Sequence, residues 1–273
     1  MVPLLRNRST DWTGFTRSAA CLFAVLTMLH PLAAGLITGS QNVSGNRSTP
    51  AYTHNGTTYG PFGWNYSYTR SFDGTVVKKH LEINFMFDDA LNYTDAQKAA
   101  YRAAAEANIE GIWNNKFNVK DNNTNKTYAA VVDVTTTGPY NQTVEVKATK
   151  ALADPPYNMT NWYVDQDTAA FQAHEFGHML GLFDEYIGGA VNQYPNPLLS
   201  NDGLMGLGAL NASPKMYARY YQQFADYVKE LNPSGSFSMV PVPEPSSVIL
   251  LALGFGGLVV LRRRRAADNV TVA

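Results

Sequence analysis

The stretch His174-Glu175-Phe176-Gly177-His178-Met179-Leu180-Gly181-Leu182-Phe183-Asp184-Glu185-Tyr186 decides the reading of this chain. It contains H-E-x-x-H. On a helix, residues four apart lie on one face, so His174 and His178 can offer both imidazoles to one metal ion. Glu175 projects close to the same face, where a carboxylate can act on a metal-bound water. Gly181 follows His178 by three residues, and Asp184 follows Gly181 by three. A glycine there can take a positive φ, end the helix and turn the chain back. The turn would bring Asp184 beneath the histidines as a third ligand. Three protein ligands with one open position describe a catalytic zinc site rather than a structural one, so Zn2+ is the expected cofactor. Glu185 and Asp202 compete for the third place. Glu185 is one residue out of register and could instead hydrogen-bond a ligand histidine. Asp202 would need the Asn201–Gly203 turn to reach the metal.

The composition leaves room for such a site in one domain. The chain has 273 residues, 45% of them hydrophobic and only 16% charged. Its net charge of −1 hides an uneven distribution. Residues 41–241 carry 14 basic and 19 acidic side chains, and the other seven basic residues lie near the two ends. A mildly acidic body has no electrostatic footprint for nucleic acid. The single cysteine, Cys21, excludes an internal disulfide and cysteine zinc ligands.

Outward from the motif, Asp167 is the expected N-cap of the active-site helix. Upstream, Leu81, Ile83, Phe85 and Phe87 alternate with Glu82, Asn84 and Met86 and predict a strand over residues 76–87. Thr94 or Asp95 then caps an alanine-rich helix to about Asn114, with Tyr101, Ile109, Ile112 and Trp113 as its apolar stripe. Strands are expected over 128–135, 143–148 and 162–164. Asp121 to Asn125 superficially looks like a calcium loop, but Lys126 and Val132 stand where an EF-hand needs glycine and glutamate, so a polar turn is expected. Residues 41–74, rich in Asn, Thr, Ser, Gly and Tyr, read as a loop-rich segment with at most short strands. Downstream, Ser213 with Pro214 predicts a helix to about Leu231. Residues 233–247 read as a linker.

The run H-E-F-G-H-M-L-G-L-F-D resembles the H-E-x-x-H-x-x-G-x-x-H signature of the metzincin zinc metallopeptidases, with Asp184 where most members have histidine. The likeness covers roughly residues 165–210. It implies an α+β, zincin-like fold over residues 75–232: a twisted mixed sheet with a long helix, an active-site helix and a C-terminal helix. It also implies a zinc endopeptidase acting on protein or peptide substrates, with His174, His178 and Asp184 on the metal and Glu175 as general base. Met205 resembles the family's methionine turn beneath the metal. A tyrosine often assists in that family; Tyr186, Tyr217 and Tyr220 are candidates here, without positional support.

The two ends point to export. Residues 1–40, with Arg6, Arg8 and Arg17 before an apolar run and small residues at Ala33 to Gly35, read as a signal peptide. Val242-Pro243-Glu244-Pro245, an apolar run over 248–261, Arg262 to Arg265 and a tail over 266–273 resemble the PEP-CTERM sorting tails of Gram-negative bacteria. That resemblance implies an exosortase-type partner, membrane insertion through residues 248–265 and a place in the cell envelope or outside it. A monomer is expected. The competing function is a non-catalytic, metal-binding envelope or matrix protein on the same fold.

Overall fold

The computed structural model describes residues 36–243. Alternating inward aromatics build its first half. β1 (Gly39–Thr49) and β4 (Phe62–Phe72) pair antiparallel along their whole length, from Gly39 opposite Phe72 to Thr49 opposite Phe62. Between them a small hairpin, β2 (Tyr52–His54) and β3 (Thr57–Tyr59), turns on Asn55 and Gly56, both at positive φ. Two eleven-residue strands therefore stand where a loop-rich segment is expected. The reason is the period-two spacing of Phe62, Trp64, Tyr66 and Tyr68, which polar residues in between disguise. Residues 39 and 40, assigned above to the signal peptide, already belong to β1.

β5 (Val76–Phe87) is the expected strand, with Val77, Leu81, Ile83 and Phe85 buried. It pairs antiparallel with β4 and parallel with β7 (Thr127–Thr135) and β8 (Gln142–Lys147). β6 (Phe117–Asp121) joins β7, β9 (Asn161–Tyr163) joins β8, and β10 (Phe237–Pro241) closes the edge beside β6. The result is one mixed, eight-stranded sheet in an α+β domain. β10 corrects the linker reading of residues 233–247. Met239 and Phe237 pack onto the core there, and their backbone pairs with β6.

Three helices flank the sheet among the described residues. α1 (Asp95–Trp113) starts in a capping box in which Thr94 and Gln97 satisfy each other's amides. It buries Ala105, Ile109 and Trp113, and the Trp113 indole donates to Ala173 O on α2 at 3.0 Å. α2 (Ala169–Met179) carries the H-E-x-x-H motif. Its N-cap is Thr168, not Asp167; the Thr168 hydroxyl accepts the Phe171 amide. Asp167 is drawn away by the phenols of Tyr101 and Tyr157, which both donate to its carboxylate. α3 (Gln222–Leu231) begins far later than Ser213. Residues 214–217 are non-helical because Lys215 exchanges backbone hydrogen bonds with Asp202 and Leu204, and a single 3-10 turn over Ala218–Tyr221 then leads into α3.

Candidate metal centre

α2 ends as the glycine predicts. Gly181 has φ +83°, its amide donates to His178 O, and the Leu182 amide reaches back to Gly177 O. Side chains of β4 and β1 add to this end: Trp64 Nε1 also donates to His178 O at 3.0 Å, and Arg47 Nε donates to Gly181 O at 3.1 Å. The chain then turns under the helix and delivers Asp184.

His174, His178 and Asp184 converge, with one ligand atom from each lying within 4.8 Å of the others. Asp184 Oδ1 is 3.1 Å from His174 Nε2 and 3.3 Å from His178 Nε2. The other ring nitrogens are committed: His174 Nδ1 to Leu204 O at 2.7 Å, His178 Nδ1 to Leu182 O at 2.9 Å. A carbonyl only accepts, so each Nδ1 carries a proton and a neutral ring directs its Nε2 lone pair into the site. Asp184 Oδ2 accepts the Ala190 amide at 2.6 Å, while buried Oδ1 has no properly aligned hydrogen-bond donor. Three lone pairs thus face one another out of water, an arrangement that requires protons or a cation. Without metal, protons supply the charge. Burial opposes charging His178, yet Asp184 outweighs it and pushes the ring up to about 9. His174 is raised in the same way, and the two rings hold Asp184 well below the usual carboxylate range against its burial. The donor set also fits a cation. Ligand bonds of about 2.0–2.1 Å at tetrahedral angles give a ligand–ligand edge of about 3.3 Å, close to both Asp184–histidine separations.

The competing acids are elsewhere. Arg219 grips Glu185 with two bonds of 2.6 Å and the Tyr220 hydroxyl adds a third at 2.8 Å. Asp202 is solvent-facing, beside Lys215 and the Tyr217 hydroxyl. Of the three tyrosines, Tyr186 alone lines the site, its ring 6.2 Å from that of His174. Burial first, then Asp184 and Glu175, raise its pKa, so it stays a proton donor. Glu175 lies in the same cleft, 6% exposed, its carboxyl raised by burial and lowered by the two histidines.

The cleft holds about 580 Å³. Its far walls are Phe62 to Asn65 of β4 and the turn Pro156 to Thr160, which sequence reasoning did not reach. No motif marks them. The paired Gly188 and Gly189 were a usable signal, because adjacent glycines announce a close backbone approach.

Met205 is buried directly against α2, as its expected place beneath the motif requires. A Cβ on Gly177 would stand 2.3 Å from Met205 Sδ. Gly177→Ala is therefore expected to destabilise by about 1–3 kcal/mol through overpacking, exceeding the roughly 1 kcal/mol gained in helix propensity. Urea denaturation checks this, and a variant as stable as the parent refutes it.

The PEP-CTERM protein-sorting motif matches residues 241–265. The chain thus carries the mark of an exported, envelope-sorted protein that an exosortase-type enzyme recognises. No curated protein and no solved structure matches the chain. Most of the motif, the expected span over 248–265 and the signal region up to residue 35 lie outside the described residues. Among the described residues, no helix is long and apolar enough to cross a membrane.

Proposed function

We propose that the protein is an exported, metzincin-like zinc endopeptidase delivered to the cell envelope. The observation that carries this reading is the convergence of two Nε2 atoms and one unpartnered carboxylate oxygen, with Glu175 beside them in an open cleft. His174, His178 and Asp184 would hold the ion. A bound zinc ion would polarise the scissile carbonyl and acidify a water. Glu175 takes the proton from that water at its carboxylate and passes it to the leaving amine. The Tyr186 phenol is the donor available to the developing oxyanion. A structural or purely binding role has no use for Glu175, whose burial beside two histidines carries a desolvation penalty. The C-terminal segment would then hold the enzyme at the membrane until it is processed.

The test is zinc content per chain and hydrolysis of casein by the purified protein, before and after chelation and after zinc is restored. Zinc-dependent cleavage supports the reading. One zinc per chain with no cleavage of casein or a random peptide library favours a non-catalytic metal protein instead.

Zinc must displace the protons that the histidines hold beside Asp184. Affinity is therefore expected to rise with pH, about tenfold per pH unit for each displaced proton, and to level off near pH 9. Calorimetry in buffers of differing ionisation enthalpy counts the protons released. No release at pH 7 would contradict the assignment.

A further inference from the structure

Asp184 is gripped from behind by the loop that follows it, at Ala190, six residues on. Its amide donates to Ala190 O at 3.0 Å, and its Oδ2 accepts the Ala190 amide. Only Oδ1 is left to face the histidines. The loop that supplies Ala190 is held in turn by the end of β1 and by β2. The Tyr52 hydroxyl is buried between two consecutive residues of that loop. It accepts the Gly188 amide at 2.9 Å and donates to Gly189 O at 2.9 Å. The Thr49 hydroxyl donates to Val191 O at 2.8 Å. Gly189 cannot carry a side chain here, since a Cβ would lie 2.4 Å from Asp184 Oδ2.

Two adjacent glycines are the freest residues a loop can contain. Gly188 sits at φ +110°, and its freedom passes directly to Ala190. A single phenol that uses both its donor and an acceptor lone pair on this dipeptide removes that freedom. We propose that Tyr52 is a positioning residue for the metal centre: it fixes Gly188 to Ala190, and through the Ala190 amide it locks Asp184 to present one oxygen, Oδ1, as a monodentate ligand. The inference rests on the reading of the site as a metal centre. It also makes the β1–β4 hairpin part of the scaffold of the site, although it lies more than a hundred residues upstream.

The experiment uses the full chain with Tyr52→Phe, and Tyr194→Phe as its matched control. The Tyr194 hydroxyl also ties this loop to the hairpin, through Thr53 O at 2.6 Å, but beyond Ala190. Two quantities are read: the affinity for zinc alone, by competition with a chromophoric chelator, and hydrogen exchange at the Ala190 amide of the metal-free protein. Tyr52→Phe is expected to weaken zinc binding about 10- to 100-fold and to speed Ala190 exchange, with Tyr194→Phe changing neither. Unchanged affinity and unchanged Ala190 protection in Tyr52→Phe overturn the proposal. Equal losses in both variants also overturn it, because they would reflect loop docking in general. If Tyr52→Phe does not fold, Thr49→Val carries the same two readouts with the same expected direction. If the parent protein binds no zinc, the metal-centre reading fails, and Ala190 exchange alone decides whether Tyr52 positions Asp184.

Discussion

Glu175→Gln is expected to lower peptide hydrolysis by about 10²- to 10⁴-fold while zinc content stays at the parent value. Glutamine keeps the volume and the hydrogen-bonding reach of glutamate but cannot accept a proton from water at neutral pH. Glu175 is not among the three converging ligand groups, so its replacement leaves the donor set intact. Stability should not fall either. The carboxylate is 6% exposed and burial disfavours its charge, so a neutral amide is the easier group to bury. The diagnostic pattern is a collapse of kcat with metal content and melting temperature preserved. Equal hydrolysis by both proteins would remove Glu175 from the chemistry. Loss of zinc from the variant would make it a metal-retaining group instead of a base.

The same residue shows what a sequence can and cannot convey about such a site. Helical spacing alone put His174, Glu175 and His178 together, because the period of a helix is fixed and Thr168 caps it locally. β5 and α1 were legible for the same kind of reason, a strict alternation and a capping residue before an alanine-rich run. The third member of the cluster was legible only in part: the spacing favoured Asp184 and left Glu185 and Asp202 in competition. Asp184, Glu185 and Asp202 differ only in where a long irregular segment folds back. That path is set by Gly181, by Arg219 reaching Glu185 from the α3 side, and by Ala190 tying Asp184. Each of these is a contact between residues distant in sequence or an irregular turn, and neither leaves a periodic trace. β1 and β4 were hidden for another reason. Asn, Ser, Thr and Gly fill one face of the hairpin, and their composition reads as loop, although the aromatic face of β4 alternates as a strand must. The helix expected from Ser213 to Leu231 ends as expected but starts later, because Lys215 exchanges backbone bonds with Asp202 and Leu204 and these override a favourable Ser-Pro start.

Lys79→Met is expected to stabilise the protein in a pH-dependent way. The alternation that turns Leu81 and Ile83 inward also turns Lys79 inward, where it is 1% exposed. Its ammonium donates to Gln223 Oε1 at 2.6 Å and lies 4.8 Å from the Tyr68 ring and 4.9 Å from the Phe224 ring. Among the described residues no carboxylate forms a salt bridge with it. Burial lowers its pKa from 10.5 to about 7; Arg70 adds to the fall, and Asp226 opposes it. The sign follows from proton counting. Below pH 7 the lysine is charged in both folded and unfolded chains, and the folded state bears the full penalty of a buried ammonium. Between pH 7 and 10.5 the unfolded chain binds more protons, so folding stability rises with pH and the penalty fades. At about 1.4 kcal/mol for each tenfold change in proton affinity, the penalty is of order 5 kcal/mol at low pH, an upper bound on what its removal returns. Methionine matches the length of the side chain and keeps its contacts with the aromatic rings without the charge. Gln223 Oε1 keeps the Tyr68 hydroxyl as a donor at 2.9 Å, so no buried acceptor is orphaned. The variant should therefore gain about 2–4 kcal/mol over the parent at pH 6 and almost nothing at pH 10. Denaturant unfolding of both proteins at the two pH values tests it. A gain of the same size at both would show that packing, not the buried charge, sets the difference. A loss at pH 6 would mean that the aromatic rings and Gln223 stabilise the ammonium by more than its desolvation removes.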